Sequence, residues 1–412
     1  MANAVIKYAQ TLVGSANSTT WVDMASLAAT EFEANKTYLI IANQICNHGS
    51  GANESRVRLV HGTTPTVFDD ASLAWEGVAN TMKHEESYLF LYTQPATAEL
   101  IKLQISSSLT TTVTNSLSQI IAIKLSDDFV SGTDYFWNEF LTDYTMTATP
   151  VAKAITASFT PNGTDRWLFV GHMIYDVVTI VDQIGFELFD SVAGVLGLSW
   201  IEGEDTVNDF HGHNVYWVGV PTNAARTLAV RPVEEAGSNI MLASRVLAFN
   251  LSKFAQSVSV FSAAEVDPAT TPTYTTVATV APTPNVTGDW VYLAFLTQDI
   301  NENTTLLDFE TRLQVNPDGA GLVSDPQYST TVPGHDFQDP LDETGHSIFK
   351  LRSLTSGAAR TINFDARRVN GTLGRLKDNG LVAFSVALAS VAAATPPRPT
   401  VATDAVRRAS FW

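Results

Sequence analysis

The sequence predicts an all-β protein built from three tandem antiparallel β-sandwiches with jelly-roll or Greek-key connections, followed by an extended C-terminal arm. Three observations predict this fold class. An apolar strand that opens with an aromatic-Leu pair occurs three times, and a strand with Ala at its third position closes each copy. Between them lie short segments of alternating apolar and polar residues separated by turn signals.

The opening strand reads TYLIIANQIC around Tyr38, RWLFVGHMIY around Trp167 and VYLAFLTQDI around Tyr292. Trp167 follows Tyr38 by 129 residues, and Tyr292 follows Trp167 by 125 residues. A period of this length corresponds to a whole domain, whereas solenoid repeats are much shorter. The sequence therefore predicts three similar domains in tandem.

The closing strand reads IIAIKL from Ile120, VLAFNL from Val246 and LVAFSV from Leu381. Residues two apart on a strand share a face, so alternate positions form one apolar triplet in each copy. We expect these triplets to point into three separate cores: Ile121, Ile123 and Leu125; Leu247, Phe249 and Leu251; Val382, Phe384 and Val386.

These markers divide the chain into predicted sandwiches over residues 1–128, 129–253 and 254–391, and an arm over residues 392–412. The arm contains Pro396, Pro397 and Pro399, which favour an extended, polyproline-like segment.

The middle of each predicted sandwich is rich in Gly, Pro, Asp and Trp, which predicts long loops there. These segments are residues 62–84, 191–214 and 316–346. The pattern also allows short helical turns at residues 72–78 or 135–144.

Charge and composition exclude several classes of function. The net charge of −18 argues against nucleic-acid binding, which needs a basic surface, and suits docking onto a basic partner. Charged residues make up 16% of the chain and apolar residues 45%. No apolar run is long enough to predict a membrane span, and the N-terminus has no export-signal pattern. Cys46 is the single cysteine, so we expect a buried, unreactive thiol.

Two histidines form the best metal candidate. His211 and His213 are two apart on a predicted strand and share a face, with Asp205 and Asp209 nearby; imidazole and carboxylate together suit a transition metal. The alternative is a polar loop edge that enters the strand at Val215. Neither this pattern nor any other leads us to predict a bound cofactor.

Asp299 begins a second metal candidate, because the oxygen-bearing residues from Asp299 to Glu310 imitate the spacing of a calcium loop. Thr304 stands where such a loop requires Gly, and strands rather than helices flank the segment. A tight Asn-rich connection explains the pattern equally well.

Aromatic residues of the predicted middle loops could stack on sugars: chiefly Trp75, Trp200 and Phe337. The alternative is that they plug the open ends of the sandwiches. A second surface candidate is the small basic-aromatic terminus, which could dock onto a partner or could be a frayed chain end. It consists of Arg407, Arg408, Phe411 and Trp412.

Catalytic motifs are absent from the sequence. It contains no G-x-S-x-G elbow, phosphate-binding loop, dinucleotide fingerprint or H-E-x-x-H motif. Acidic pairs such as Glu85-Glu86 are too common in an acidic chain to indicate a glycosidase, whose carboxylates must face each other across a sugar. We therefore predict a protein that is not an enzyme.

In overall character, and in the triplicated YL/WL/YL and AIKL/AFNL/AFSV strands, the chain resembles accessory structural proteins of tailed bacteriophages, such as head decoration proteins and fibres. The resemblance implies a virion protein made in the host cytoplasm, whose partner is the major capsid protein or another copy of itself. The resemblance does not identify any functional residue in this chain.

Three functions are open at this point. The first is a capsid decoration or cement protein, in which three similar domains could stand in for a homotrimer. The second is a carbohydrate-binding fibre or adhesin that binds cell-surface glycans. The third, a glycan-degrading enzyme, ranks last because no catalytic cluster is present.

Overall fold

The computed structural model describes residues 4–389 with the exception of residues 13, 17, 49–52, 78–82, 109–111, 179–182, 203–208, 235–237, 271, 301–306, 317–322, 333–341 and 369–373. Within these limits the chain forms antiparallel strands and two short 3-10 helices, Ala29–Glu31 and Leu251–Lys253. The predicted all-β class is therefore confirmed. The described residues include no helix long and apolar enough to cross a membrane.

The first third of the chain forms nine strands, which pair into two sheets with the orders β1-β9-β4-β7 and β6-β5-β8-β3, while β2 pairs with β9. The strands are β1 (Ile6–Thr11), β2 (Gly14–Ala16), β3 (Val22–Leu27), β4 (Thr37–His48), β5 (Asn53–His61), β6 (Thr66–Gly77), β7 (Lys83–Thr93), β8 (Ile101–Ser107) and β9 (Val113–Lys124).

The second third repeats this order with β10-β17-β12-β15 in one sheet and β14-β13-β16 in the other. Single bridges from Ile155 and Phe159 to the chain around β16 replace the fourth strand of the second sheet. The strands are β10 (Tyr135–Phe140), β11 (Tyr144–Thr145), β12 (Trp167–Val177), β13 (Gln183–Asp190), β14 (Gly194–Glu202), β15 (Asp209–Gly219), β16 (Leu228–Glu234) and β17 (Ile240–Asn250).

The last third has the sheet orders β18-β25-β20-β23 and β19-β24-β21-β22. Its strands are β18 (Ser257–Ser262), β19 (Thr275–Val280), β20 (Gly288–Ile300), β21 (Leu307–Val315), β22 (Val323–Val332), β23 (Asp342–Leu354), β24 (Ile362–Arg368) and β25 (Gly374–Ser385).

The same connection pattern therefore occurs three times, and it is that of a jelly roll. We call the sheet that contains β4, β12 or β20 the inner sheet of its third, and the facing sheet the outer sheet. At the first predicted boundary, the strands of the first third end at Lys124 and those of the second begin at Tyr135. At the second predicted boundary, the strands end at Asn250 and resume at Ser257. The division into three independent domains, and the arm beyond residue 391, stay predictions.

Each sandwich encloses its own apolar core, filled by the aromatic residue that opens the marker strand. Tyr38 packs with Leu59 in the first core, Trp167 with Phe186 in the second, and Tyr292 with Phe309 in the third. These side chains are at most 3% exposed. The opening strand thus supplies the core of each jelly roll.

A fourth core lies between the three inner sheets and contains residues from all three thirds, such as Leu39, Leu168 and Leu293. A cavity of about 20 Å³ at its centre is lined by residues of all three thirds. Such small apolar voids stay dry. The three inner sheets are therefore buried on both faces.

The shared core corrects the expectation of three separate cores for the closing-strand triplets. All but one of their members lie together in the fourth core, and Val386 is half-buried. The other faces of these strands, with Ala122, Ala248 and Ala383, point into the individual sandwiches. Each closing strand is apolar on both faces. One face therefore fills the shared core, and the other fills the core of its own sandwich.

Three similar joints connect the thirds into a ring. The inner-sheet edge strand β15 joins the first outer sheet through Phe210 and Ala74, and β23 joins the second outer sheet through Trp200 and Glu343. The backbones of β7 and β22, from the first inner and the third outer sheet, approach within 8 Å at the remaining position. Each joint thus sets an inner edge against the outer edge of the next sandwich.

The predicted middle loops are largely strands, which corrects another expectation. β6, β14 and β22 occupy the segments rich in Gly, Pro and Asp, and residues 72–77 and 135–140 are strand rather than helical turn. These strands lie at the edge of each sandwich, where at most a single residue pair continues the ladder to the next third, so irregular residues are tolerated. Pro326 illustrates this, since it falls at a register shift between β21 and β22.

Candidate functional site

The edge strands of the three inner sheets, β7, β15 and β23, carry a layer of buried polar side chains. Central positions in a core are usually apolar, because a buried polar group needs a partner. The polar residues of this layer are Glu85, Glu86, His211, His213, Asn214, His346 and Ser347. Several of them form contacts between the thirds of the chain.

Glu86 on β7 reaches His211 on β15. Its Oε1 lies 2.9 Å from Nδ1 of His211, and its Oε2 accepts a hydrogen bond of 2.6 Å from the backbone N–H of Gly212. Burial raises the pKa of Glu86, and the contact with His211 offsets part of the rise. Both carboxylate oxygens are thus occupied at a position with no access to solvent.

His213 lies on the same face of β15 as His211, and potential ligand atoms of both imidazoles and of Glu86 all lie within 4.8 Å of one another. Nδ1 of His213 is 3.0 Å from the hydroxyl of Ser199 on the facing sheet. Burial, and next the adjacent His211, lowers the pKa of His213 to about 3. His213 is therefore a neutral imidazole over the ordinary pH range.

Glu85, the neighbour of Glu86 on β7, makes a similar contact with the last third of the chain. Its carboxylate contacts Nδ1 of His346 on β23 and accepts a 3.0 Å hydrogen bond from the backbone N–H of Ser347. Nε2 of His346 is 2.7 Å from the hydroxyl of Thr311. This pair lacks the third ligand of the Glu86 cluster.

The described contacts between the second and last thirds in this layer are between uncharged groups. The hydroxyl of Tyr216 hydrogen-bonds with Ser347, and Asn214 donates a 2.9 Å hydrogen bond to the same hydroxyl. Gly345 lies against the backbone carbonyl of Asn214, where a Cβ would come within 2.6 Å of the oxygen. Only glycine allows this close approach.

The Glu86–His211–His213 cluster has the composition of a metal site, with two imidazoles and one carboxylate. The three side chains are at most 7% exposed, so no large substrate can reach them in this conformation. The cluster can therefore hold an ion or a buried ion pair, and its place between two thirds of the chain suits a structural role.

The structure describes only some of the residues that the sequence suggested as metal ligands. The structure brings His211 and His213 together, and among the described residues the carboxylate beside them is that of Glu86. Asp205 lies outside the described residues, as does the side chain of Asp209. Asp299 is near the end of β20, and its side chain is also outside the described part.

Sequence reasoning overlooked Glu86, although a signal was present. Glu85 and Glu86 come directly before the apolar run SYLFLY of β7. A carboxylate at the start of a buried strand requires a partner, which the sequence alone does not identify.

Two of the three aromatic residues proposed for sugar binding lie in strands. Trp75 is in β6 next to the joint with β15, and its side chain is outside the described part. Trp200 is half-buried in β14 at the joint with β23, and Phe337 is outside the described residues. Whether they bind a glycan stays a prediction.

A cleft of about 290 Å³ lies at a different place, between the second and last thirds. Trp217 and Phe261 line it, together with Lys377 and Asp378. Burial raises the pKa of Asp378 to about 6. None of the sequence-predicted residues whose side chains the structure describes lines this cleft. The proposed docking residues Arg407, Arg408, Phe411 and Trp412 are outside the described residues.

No protein-family profile and no curated protein sequence matches this chain. A solved structure described as the triple jelly roll fold and turret assembly in an archaeal virus is similar over 86% of this chain and 82% of its own, with 9% identity and a TM-score of 0.19. A structure of Sulfolobus turreted icosahedral virus is similar over 85% and 84%, with 10% identity and a TM-score of 0.21.

A tandem domain named CBM22-1-CBM22-2, from Paenibacillus barcinonensis Xyn10C, is similar over 61% of this chain and 93% of its own, with 9% identity and a TM-score of 0.19. Similarities with such low TM-scores carry no argument about this protein. Its all-β architecture fits a structural or binding role.

Proposed function

We propose that the chain is a non-enzymatic structural protein of a phage virion, a capsid decoration protein whose three jelly rolls act as a one-chain trimer. The observation that carries this proposal is the ring of three similar joints, β6 with β15, β14 with β23, and β22 with β7. Head-to-tail contacts of one kind form a closed ring when the rotation between units closes.

A ring of this kind supports the proposal because it presents three similar surfaces around one axis. A ring of three similar sandwiches fits a position on a shell where three capsid subunits meet. The fourth core fixes the mutual orientation of the three sandwiches, since Leu39, Leu168 and Leu293 are at most 4% exposed within it. The net charge of −18 favours a basic docking surface on the shell.

The test is co-sedimentation of the purified chain with capsids of its own virus that lack it. We expect saturable binding at one chain per local threefold position, and loss of binding when residues 395–412 are deleted. Binding that is unchanged by the deletion would refute the anchoring role of the arm. Failure of the intact, folded chain to bind the capsids would refute the decoration function.

The carbohydrate-binding fibre is the second candidate, and the cleft between the second and last thirds is the observation in its favour. Trp217 and Phe261 offer aromatic rings beside the polar Lys377 and Asp378, a combination that suits a sugar. Binding of the intact chain to a glycan array, lost in Trp217→Ala but kept in Trp200→Ala, would support this candidate. A blank array with folded protein counts against it.

A further inference from the structure

We propose that Glu86, His211 and His213 bind one transition-metal ion, with Zn²⁺ as the fitting ion, and that this ion joins the first third of the chain to the second. The proposal concerns an inorganic ligand and does not depend on the proposed virion role. Glu86 belongs to β7 of the first third, whereas both histidines belong to β15 of the second.

The spacing of the ligand atoms supports a single coordination sphere. In tetrahedral zinc sites, ligand distances of about 2.0–2.1 Å place the ligand atoms about 3.3 Å from one another. Here Oε1 of Glu86 and Nδ1 of His211 are 2.9 Å apart, and the candidate atoms of all three residues lie within 4.8 Å. Small side-chain rotations are enough to bring them around one ion.

The surrounding contacts are those that orient metal ligands. The backbone N–H of Gly212 donates to Oε2 of Glu86 and leaves Oε1 toward the histidines. The hydroxyl of Ser199 is 3.0 Å from Nδ1 of His213. Hydrogen bonds of this kind fix the tautomer and the ring orientation of metal-binding residues.

The ligand types select the class of metal. Two imidazoles and one carboxylate suit zinc and its neighbours in the transition series, whereas Ca²⁺ and Mg²⁺ prefer sites built only of oxygen. Three protein ligands leave one tetrahedral position to a small non-protein ligand. The complete burial of Glu86 and His211 excludes a polymeric substrate and leaves an ion that stabilises the joint.

The other carboxylate–imidazole contact of the ring provides a matched control. Glu85 contacts His346 in the same buried layer, but among the described residues no third ligand completes a metal-binding group there. The two contacts share their chemistry and differ in the number of ligands. Replacing His346 therefore disturbs a comparable joint without touching the proposed metal site.

The experiment measures metal content and thermal unfolding of the full chain. The protein is stripped with a chelator, incubated with Zn²⁺, freed of excess ion and analysed by inductively coupled plasma mass spectrometry. We expect one zinc per chain in the wild type and in His346→Gln, and none in His211→Gln or His213→Gln. Zinc should also raise the midpoint of thermal unfolding of the wild type by several degrees, because an ion that binds only the folded state stabilises it.

Co²⁺ provides an independent readout, since its visible absorption reports the number and geometry of its ligands. We expect a tetrahedral spectrum in the wild type that Zn²⁺ displaces. Wild-type protein that stays folded but retains no zinc would overturn the proposal, as would zinc that survives both glutamine substitutions. If the glutamine variants do not fold, the stoichiometry and the Co²⁺ spectrum of the wild type decide the question.

Discussion

The carboxylate of Glu86 lies 2.9 Å from Nδ1 of His211, which follows it by 125 positions in the chain. Its neighbour on β7, Glu85, contacts His346 instead. Because adjacent residues of a strand point to opposite faces, one strand can hold two different parts of the protein. The first third is thereby joined to each of the other two by a buried carboxylate–imidazole contact.

Removal of the Glu86 carboxylate should strongly destabilise the metal-free protein. We expect Glu86→Ala to lower the free energy of unfolding by about 3–5 kcal/mol, because it leaves His211 buried without its carboxylate. The measurement is denaturant unfolding in the presence of a chelator. The control is Arg375→Ala, which removes an ion pair with Glu265 whose side chains are 46% and 50% exposed. Exposed pairs contribute about 0–1 kcal/mol, so equal losses would contradict the prediction.

The joint between the second and last thirds should not tolerate a side chain at position 345. A Cβ there would lie 2.6 Å from the backbone oxygen of Asn214, so Gly345→Ala should lower the free energy of unfolding by about 1–3 kcal/mol through overpacking. Gly288→Ala, also in a strand, meets no atom within 4 Å and should stay within about 0.5 kcal/mol of the wild type. Thermal unfolding of both variants compares the two sites.

The fourth core should couple the stability of all three sandwiches. Phe249 is fully buried in it, so Phe249→Ala should cost about 3–5 kcal/mol. Val130→Ala, at a residue 61% exposed, serves as the control and should have almost no effect.

Calorimetry of Phe249→Ala tests the coupling itself. We expect the wild type and the variant each to unfold in one transition, because the three inner sheets share their buried faces. A variant in which the second third melts well before the others would show that the sandwiches are independent in stability.

Asp378 should make the protein less stable at alkaline than at acidic pH. Burial raises its pKa from 3.8 to about 6, so the folded state binds the proton more tightly than the unfolded chain. Its contribution to stability is therefore present in full below pH 3.8 and is lost as the pH rises through about 6. We expect Asp378→Asn to match the wild type near pH 4 and to gain about 1–3 kcal/mol at pH 8.

Asp127→Asn is the matched control for Asp378→Asn. Both aspartates have a positive φ, 77° and 49°, which asparagine also tolerates. Asp127 is exposed, and a hydrogen bond from Lys36 lowers its pKa, so its replacement should give no gain at pH 8. A gain of equal size in both variants would trace the effect to the backbone and refute the burial argument.

Much of the fold could be predicted because its strongest signals are local. Apolar strands that open with Tyr38, Trp167 and Tyr292 recur at intervals of a domain's length, which predicts three sandwiches. Edge strands such as β14, with Gly194 and Gly197, could not be predicted in the same way. β14 pairs along its length with β13, and a composition typical of loops hides this pairing.

Part of the candidate site could be predicted from the sequence. The spacing of His211 and His213 places both imidazoles on one face of a strand, since the period of a strand is two. Glu86 could not be assigned to them, because it comes from another third of the chain and meets them only after β15 has docked beside β6 and β7.

The sequence by itself determined the all-β class, the threefold recurrence of the marker strands and the histidine pair, because each depends on the order of residues along one strand. Only the tertiary structure decided that the inner sheets share one core and that the three sandwiches form a ring. It also decided that Glu86 lies against His211. These features depend on faces and edges that meet across more than a hundred residues, and the burial of apolar surface on both sides of a strand selects that arrangement without leaving a local pattern.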